Sequence, residues 1–309
     1  FPNGAYLNPA GHYMLPRPGI PKMNYYPDMA DLAAKAPKTS FPQQLIDWAD
    51  VIVIMHDPYI LSENWPRIKH KKVIWRSIGQ SLPWVEKIIE SMRNQGLKIV
   101  RYSPKETLLP FYAGQDATIR FCKDPDDWNG WTGTDKRVVN FTQTLKGRRQ
   151  FCHYDQIMEI MAGFPSVIYG SGNEDLGNLN GGNLPYDEQR QKMREARVAV
   201  YAGTWPACYS LSLMELMMTG TPVVAIGKKM AENIPGVEAV NFYEVHEIIK
   251  NGESGFVGDS VEEVKNYINQ ILTNDQLAAK ISNGARRRAI ELFGKDKIKT
   301  EWEQLFRKI

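Results

Sequence analysis

Apolar positions along the chain follow two habits: short unbroken runs, and longer segments in which they recur every three or four residues. Unbroken runs mark strands buried on both faces of a parallel sheet, and the longer spacing marks helices. In the first half the runs cover residues 50–55, 72–79, 96–103 and 116–121, with a helix predicted over about 83–95. The pattern restarts at 138–141, followed by a helix over 150–162, a strand over 166–170, a helix over 188–197 and a strand over 198–201. Gly203 to Pro206 breaks that last strand, and Ser210 is placed to cap the apolar helix that starts at Leu211. Gly220 sits where a helix ends on a left-handed glycine, and 221–226 reads as the next buried strand. Strand, helix and parallel strand make a βαβ crossover. Beyond Gly227, short segments at 239–242 and 248–257 precede two amphipathic helices over 261–272 and 276–293, and Trp302, Leu305 and Phe306 keep a helical spacing near the end.

This order predicts an α/β fold of two Rossmann-like domains facing each other across a cleft. Residues 124–135 hold little that packs as regular structure, so the boundary is placed there, giving domains over 1–135 and 136–295 and a terminal helix over 296–309. Residues 1–42 are rich in Pro, Gly, Asn and Tyr, and only 29–36 has a helical pattern. Their aromatics either pack over the first domain or stack on a sugar or acceptor. The chain opens on Phe1-Pro2-Asn3-Gly4 without an initiator Met, a loop-like start that leaves room for a strand upstream.

Composition narrows the function classes. The 309 residues suffice for two sizeable cores, and 43% apolar with 24% charged residues is ordinary for a soluble protein. A net charge of +3 is too small for a nucleic-acid footprint; the basic clusters at 69–72, 146–149 and 286–288 are scattered, and solvated faces explain two of the three. Cys122, Cys152 and Cys208 lack metal-ligand spacing and cannot all pair, which points to a reducing, cytoplasmic setting. There is no apolar run of membrane-spanning length and no signal peptide pattern. No Ser-His-Asp order, zinc spacing or P-loop stands out, and Asp124-Pro125-Asp126 reads as a turn rather than a metal motif, so no metal is expected.

Four places carry candidate chemistry. Glu215 lies in Leu211-Ser212-Leu213-Met214-Glu215-Leu216-Met217-Met218, where a carboxylate is costly unless something hydrogen-bonds to it. It is either a charge on the helix's one solvated face or an acceptor for ligand hydroxyls, near a strand's carboxyl end where doubly wound sheets bind ligands. Lys146-Gly147-Arg148-Arg149 lies between a strand and a helix, a place that suits a diphosphate, although a solvated surface explains it equally simply. Gly170 and Gly172 follow another strand, either as an ordinary turn or as a close approach to a ligand. His56-Asp57 stands at a strand end in the first half, where the imidazole is either a donor to a ligand or merely solvated.

The stretch Tyr209 to Val224 resembles the signature of the retaining glycosyltransferases of family 4, written E-G-F-G-x-x-x-x-E-A-M-A-x-G-x-P-V-V. Glu215 matches the second Glu, which in that family holds the ribose of a nucleotide-sugar donor. The first Glu, which faces the donor sugar, falls on Ala207, and the Gly-Phe-Gly falls on Cys208-Tyr209-Ser210. Lys146-Gly147 matches the family's Lys-Gly at the diphosphate, with Arg148 or Arg149 replacing an Arg that is absent at Thr142-Gln143. Gly170 and Gly172 match a G-x-G segment, and 182–186 the segment where the base is sandwiched. The family's important His falls in Trp75-Arg76-Ser77-Ile78-Gly79-Gln80, which makes Arg76 and Gln80 candidates by position and His56 one by chemistry.

The resemblance implies the GT-B architecture, with a first domain for the acceptor, a second for the nucleotide sugar, and a last helix crossing back. It implies a metal-independent hexosyl or pentosyl transferase with no cofactor. A UDP-sugar or GDP-sugar would be the donor, and the acceptor a hydroxyl on a glycan, a lipid, a small molecule or modified DNA. Amides at Tyr209, Ser210 and Leu211 would hold the β-phosphate. The rival readings are a viral-type DNA glycosyltransferase acting on hydroxymethylated bases, and an inactive nucleotide- or sugar-binding module, the latter motivated by Ala207.

Overall fold

The computed structural model describes residues 40–55, 57–79, 81–232 and 242–309. The expectations for residues 1–39, His56, Gln80 and the strand at 239–241 lie outside the described residues. The chain divides into two compact units, one reaching Ile119 and including Glu301–Ile309, the other Arg120–Thr300.

The first unit runs α1 (Gln43–Trp48), β1 (Val51–Met55), α2 (Pro58–Ile68), β2 (Lys72–Arg76), α3 (Pro83–Arg93), β3 (Lys98–Arg101) and β4 (Ala117–Thr118). Its strands pair in parallel in the order β1-β2-β3-β4, with Ile52 opposite Val73 and Trp75 opposite Ile99. Leu61, Ile68, Ile89 and Ile99 are buried between helices and sheet. Two buried carboxylates also sit in this core. Glu86 on α3 accepts both guanidinium prongs of Arg101 on β3 at 2.7 Å, and Glu106 accepts from Ser77, Ser81 and the Tyr102 amide. Charges taken this far from water are tolerable only when every polar atom finds a partner.

The second unit runs β5 (Asp135–Phe141), α4 (Tyr154–Met161), β6 (Ser166–Tyr169), β7 (Asn180–Gly182), α5 (Tyr186–Glu195), β8 (Ala196–Tyr201), α6 (Leu211–Thr219), β9 (Val223–Ile226), α7 (Lys228–Glu232), α8 (Val245–Ile248), β10 (Phe256–Gly258), α9 (Val261–Thr273), α10 (Asp275–Phe293) and the start of α11 (Lys295–Lys308). Its parallel sheet has the order β10-β9-β8-β5-β6-β7. Every residue of β8 is buried, as its unbroken apolar run requires in a central strand. α6 ends as predicted on Gly220, at a φ of 89°.

Three details differ from the sequence reading. The segment 124–135 packs on the second unit instead of forming a linker: Arg286 donates to the Pro125 and Trp128 carbonyls, Arg194 to those of Asp127 and Asn129, and Trp128 is buried. Distant arginines thus satisfy carbonyls of an irregular backbone that holds few hydrogen bonds of its own, such as Trp128 N–H to the Asp124 carbonyl. The run at 116–121 keeps only two residues in the sheet, because beyond Ile119 the chain enters the second unit. The helix predicted over 150–162 breaks at His153, whose φ of 55° separates a 3-10 turn over Arg149–Cys152 from α4.

Candidate functional site

The second unit gathers most of the sequence candidates at the carboxyl ends of its strands, where the parallel peptide arrangement leaves loops and helix starts open to a ligand. The loops after β5 and β6 are laced together. The buried Asn173 accepts from the Leu145 amide at 2.8 Å and donates to the carbonyls of Thr142 and Gly170, while the Thr144 amide bonds Ser171. A Cβ on Gly170 would stand 2.5 Å from the Thr142 carbonyl oxygen, and one on Gly172 2.6 Å from the Thr144 hydroxyl, at φ of 144° and 71°. The glycines therefore permit one loop to approach the other. This approach shapes the platform that carries Lys146.

The three cations of that platform differ in how firmly they are held. Lys146 is half exposed and faces Asp175 at 3.6 Å, a surface pair of small net worth. Arg148 turns back onto the Gln143 carbonyl of its own loop. Arg149 grips Asp155 at 2.8 Å and lies over the Tyr154 ring. Lys146 is thus the cation most easily redirected to an anion, and both arginines would have to release a partner.

α6 presents Glu215 inward, 3% exposed, so the solvated-face reading of this residue is excluded. Its carboxylate accepts from Lys123 Nζ at 2.6 Å and, on the other oxygen, from Gln189 Nε2 at 3.4 Å. A carboxylate offers about four lone-pair sites, so acceptor capacity remains for ligand hydroxyls. Arg190 stands on the same helix as Gln189, its guanidinium over Tyr186 and Trp128, and its Nε is buried without a hydrogen bond among the described residues. Lys123 escaped the sequence reading because nothing local marks a partner 92 positions away.

At the start of α6 the buried Tyr201 hydroxyl accepts from the Ser210 amide and donates to the Ser210 hydroxyl, both at 3.0 Å. Burial pushes the Tyr201 phenol up to about 12, against its hydrogen bonds to Ser210. One of the expected amides is therefore taken: the Ser210 N–H already has the Tyr201 hydroxyl as its partner. Ser210 is the N-cap residue by position, yet its side chain caps nothing. Tyr209 is buried against Phe293 with the Arg120 guanidinium over its ring, and Arg120 in turn pairs with Glu244. Leu211 remains exposed.

Between the loop that leaves β8 and the end of α7 lies a small cavity lined by His153, Thr204, Trp205, Ala207, Glu232 and Tyr243, among others. Ala207 is the position matched to the family's first Glu. His153 was not a sequence candidate; it stands where the predicted helix breaks. In the first unit, Arg76 is buried at the end of β2 with its guanidinium 5.7 Å from the centre of the Trp302 ring.

Among the described residues no group of three or more His, Cys, Asp and Glu side chains is arranged to hold a metal, and no helix is long and apolar enough to cross a membrane.

No family model matches the chain, and no curated protein matches it in sequence. Solved structures do match it in fold. HepE from Anabaena, in complex with UDP and glucose, superposes with a TM-score of 0.68 over 90% of this chain and 83% of HepE, at 16% identity. Sucrose-phosphate synthase from Thermosynechococcus elongatus reaches 0.62 over 84% and 73% at 14% identity, and TarM 0.61 over 83% and 54% at 16%. The chain has the GT-B glycosyltransferase fold.

Proposed function

We propose that this protein transfers a sugar from a nucleoside diphosphate donor to a hydroxyl acceptor, with retention, in the manner of family 4. The observation that carries the reading is Glu215. It is a buried carboxylate with unused lone pairs, on the helix whose sequence matches the family's ribose-binding motif. In this reading the ribose hydroxyls donate to Glu215, and the diphosphate takes Lys146 and the open amides from Leu211 onward. Arg148 or Arg149 adds a fork once it leaves its present partner. Catalysis comes from stabilising the charge that develops on the departing diphosphate as the sugar becomes oxocarbenium-like, a task for preorganised donors. Attack on the same face then requires no protein nucleophile. A nucleotide sugar as sole co-substrate requires no cofactor, and the protein works in the cytoplasm.

UDP is the first nucleotide to try, because HepE structures contain UDP and UDP-glucose. A DNA acceptor is less favoured, since Arg286 and Arg288 donate to carbonyls within the second unit and are not displayed for phosphates. The test is a thermal-shift titration with UDP, GDP, ADP and UMP. A diphosphate at about 100 times its dissociation constant stabilises by roughly 2.7 kcal/mol, and Lys146→Ala reduces the shift while leaving the unliganded Tm unchanged. Absence of a shift with every nucleotide defeats the reading.

A further inference from the structure

The cavity at the carboxyl ends of β8 and β9 has about 20 Å3 of free space, room for one water-sized group. Most of its polar lining is already spent. The Tyr243 hydroxyl donates to the Ile226 carbonyl at 2.8 Å, and Thr204 meets the Cys152 sulfur. Two groups are different. Trp205 Nε1 is buried and has no hydrogen-bond partner among the described residues. An indole N–H can only donate, so leaving it dry and unpaired carries the full cost of its desolvation.

His153 supplies the opposite polarity. Its Nδ1 lies 2.9 Å from Gln156 Oε1, and Gln156 Nε2 donates to the Met230 carbonyl at 3.3 Å. The Met230 carbonyl can only accept, which orients the Gln156 amide with its oxygen toward His153. That oxygen takes the Nδ1 hydrogen, so the neutral ring carries its proton on Nδ1 and keeps a lone pair on Nε2. Burial lowers the His153 pKa, with the Gln156 bond opposing, and so favours this neutral ring at pH 7.

His153 and Trp205 both line this space for one small group, and an acceptor on one with a donor on the other complements a hydroxyl, which both accepts and donates. We propose that this cavity is a hydroxyl subsite, in which a hydroxyl of the transferred sugar donates to His153 Nε2 and accepts from Trp205 Nε1. Gln156 is the positioning residue, since it fixes which nitrogen accepts. The identity of the ligand as a nucleotide's sugar rests on the donor reading above; the subsite itself rests on the cavity.

The test follows the Trp205 indole and His153 ring signals by 1H–15N NMR, the former identified by its loss in Trp205→Phe. UDP, UDP-glucose, UDP-galactose, GDP-mannose and free glucose, galactose and mannose are titrated in turn. Trp205→Phe retains the ring that stacks on Phe151, and His153→Asn suits the left-handed backbone, so both are expected to fold. The expected result is that a nucleotide sugar moves both signals while its free nucleotide moves only others. Each variant then binds the nucleotide within twofold of wild type and the nucleotide sugar roughly 10- to 100-fold more weakly, in line with losing a hydrogen bond to a buried partner. Gln156→Met gives a smaller loss and a mixture of His153 tautomers. Binding of a nucleotide sugar with both signals unmoved, or with unchanged affinity in the variants, overturns the subsite and leaves the donor reading intact. If no nucleotide or nucleotide sugar binds, the donor reading fails, and the free sugars decide the subsite. Movement of both signals upholds it, and silence overturns it as well.

Discussion

Replacing Lys123 by Met tests whether Glu215 belongs to a ligand or to the fold. The pair is close, at 2.6 Å, with the carboxylate side chain 4% and the lysine 17% exposed. Removing one partner of a buried pair costs about 3–5 kcal/mol, because the other charge is left in a poor dielectric. The residual exposure of Lys123 allows some screening, so about 3 kcal/mol is expected, which for a unit of this size lowers Tm by roughly 6–12 °C. Lys123→Met/Glu215→Met removes both charges and recovers most of that loss, giving a coupling of about 2–3 kcal/mol in a double-mutant cycle. Nucleotide affinity, measured by calorimetry, separates the two roles. Lys123→Met retains the carboxylate and binds the diphosphate at least as well as wild type. The double variant lacks the ribose acceptor and binds roughly 10- to 150-fold more weakly, the equivalent of about 1.5–3 kcal/mol for hydrogen bonds to a charged group. Equal nucleotide affinity in wild type and the double variant would refute the assignment of Glu215 to the ribose, and a Lys123→Met protein of wild-type stability would refute the buried pair.

The folded His153 pKa lies below its usual 6.5, lowered by burial against the Gln156 bond, in a cavity that Glu232 also lines. The unfolded chain therefore takes up this proton first, so the stability difference between wild type and His153→Asn is level above about pH 7 and shrinks as pH falls through 6.5; chemical denaturation across this range reads it, and a difference that grows toward acid contradicts the burial. Glu86→Gln takes from the fully buried Arg101 its hydrogen-bonded carboxylate, leaving Glu106 at 3.9 Å, and costs about 3 kcal/mol in urea unfolding, whereas Glu86→Leu/Arg101→Met regains most of it; equal losses in both would refute the pairing argument. Gly170→Ala places a methyl 2.5 Å from the Thr142 carbonyl at a φ of 144°, so it destabilises by more than about 1 kcal/mol and weakens diphosphate binding by disturbing the Lys146 loop; wild-type values for both show that the loops do not need their close approach.

Much of the architecture was legible in the order of residues because it depends on local periodicity. Unbroken apolar runs such as 198–201 fit only a strand buried on both faces, and the run from Leu211 to Gly220 carries its own start and stop. The candidate ligands Glu215 and Lys146 were legible as chemistry out of place or at a strand end. What occupies each of them was not. Lys123 reaches Glu215 across 92 positions, Tyr201 takes the Ser210 amide that had been assigned to a phosphate, and Arg286 and Arg194 convert an expected linker into packed structure. These partners meet only when sheet and helices are assembled, and no spacing encodes them. The same holds for the glycines after β6, whose freedom serves a neighbouring loop, and for His153, whose tautomer is set by Gln156 and a carbonyl from α7. The sequence by itself determined which segments are strands and helices and where charge was affordable. Only the tertiary structure decided which polar atoms are satisfied and which keep spare hydrogen-bonding capacity, because hydrogen bonding in a buried site depends on atoms brought together from distant parts of the chain.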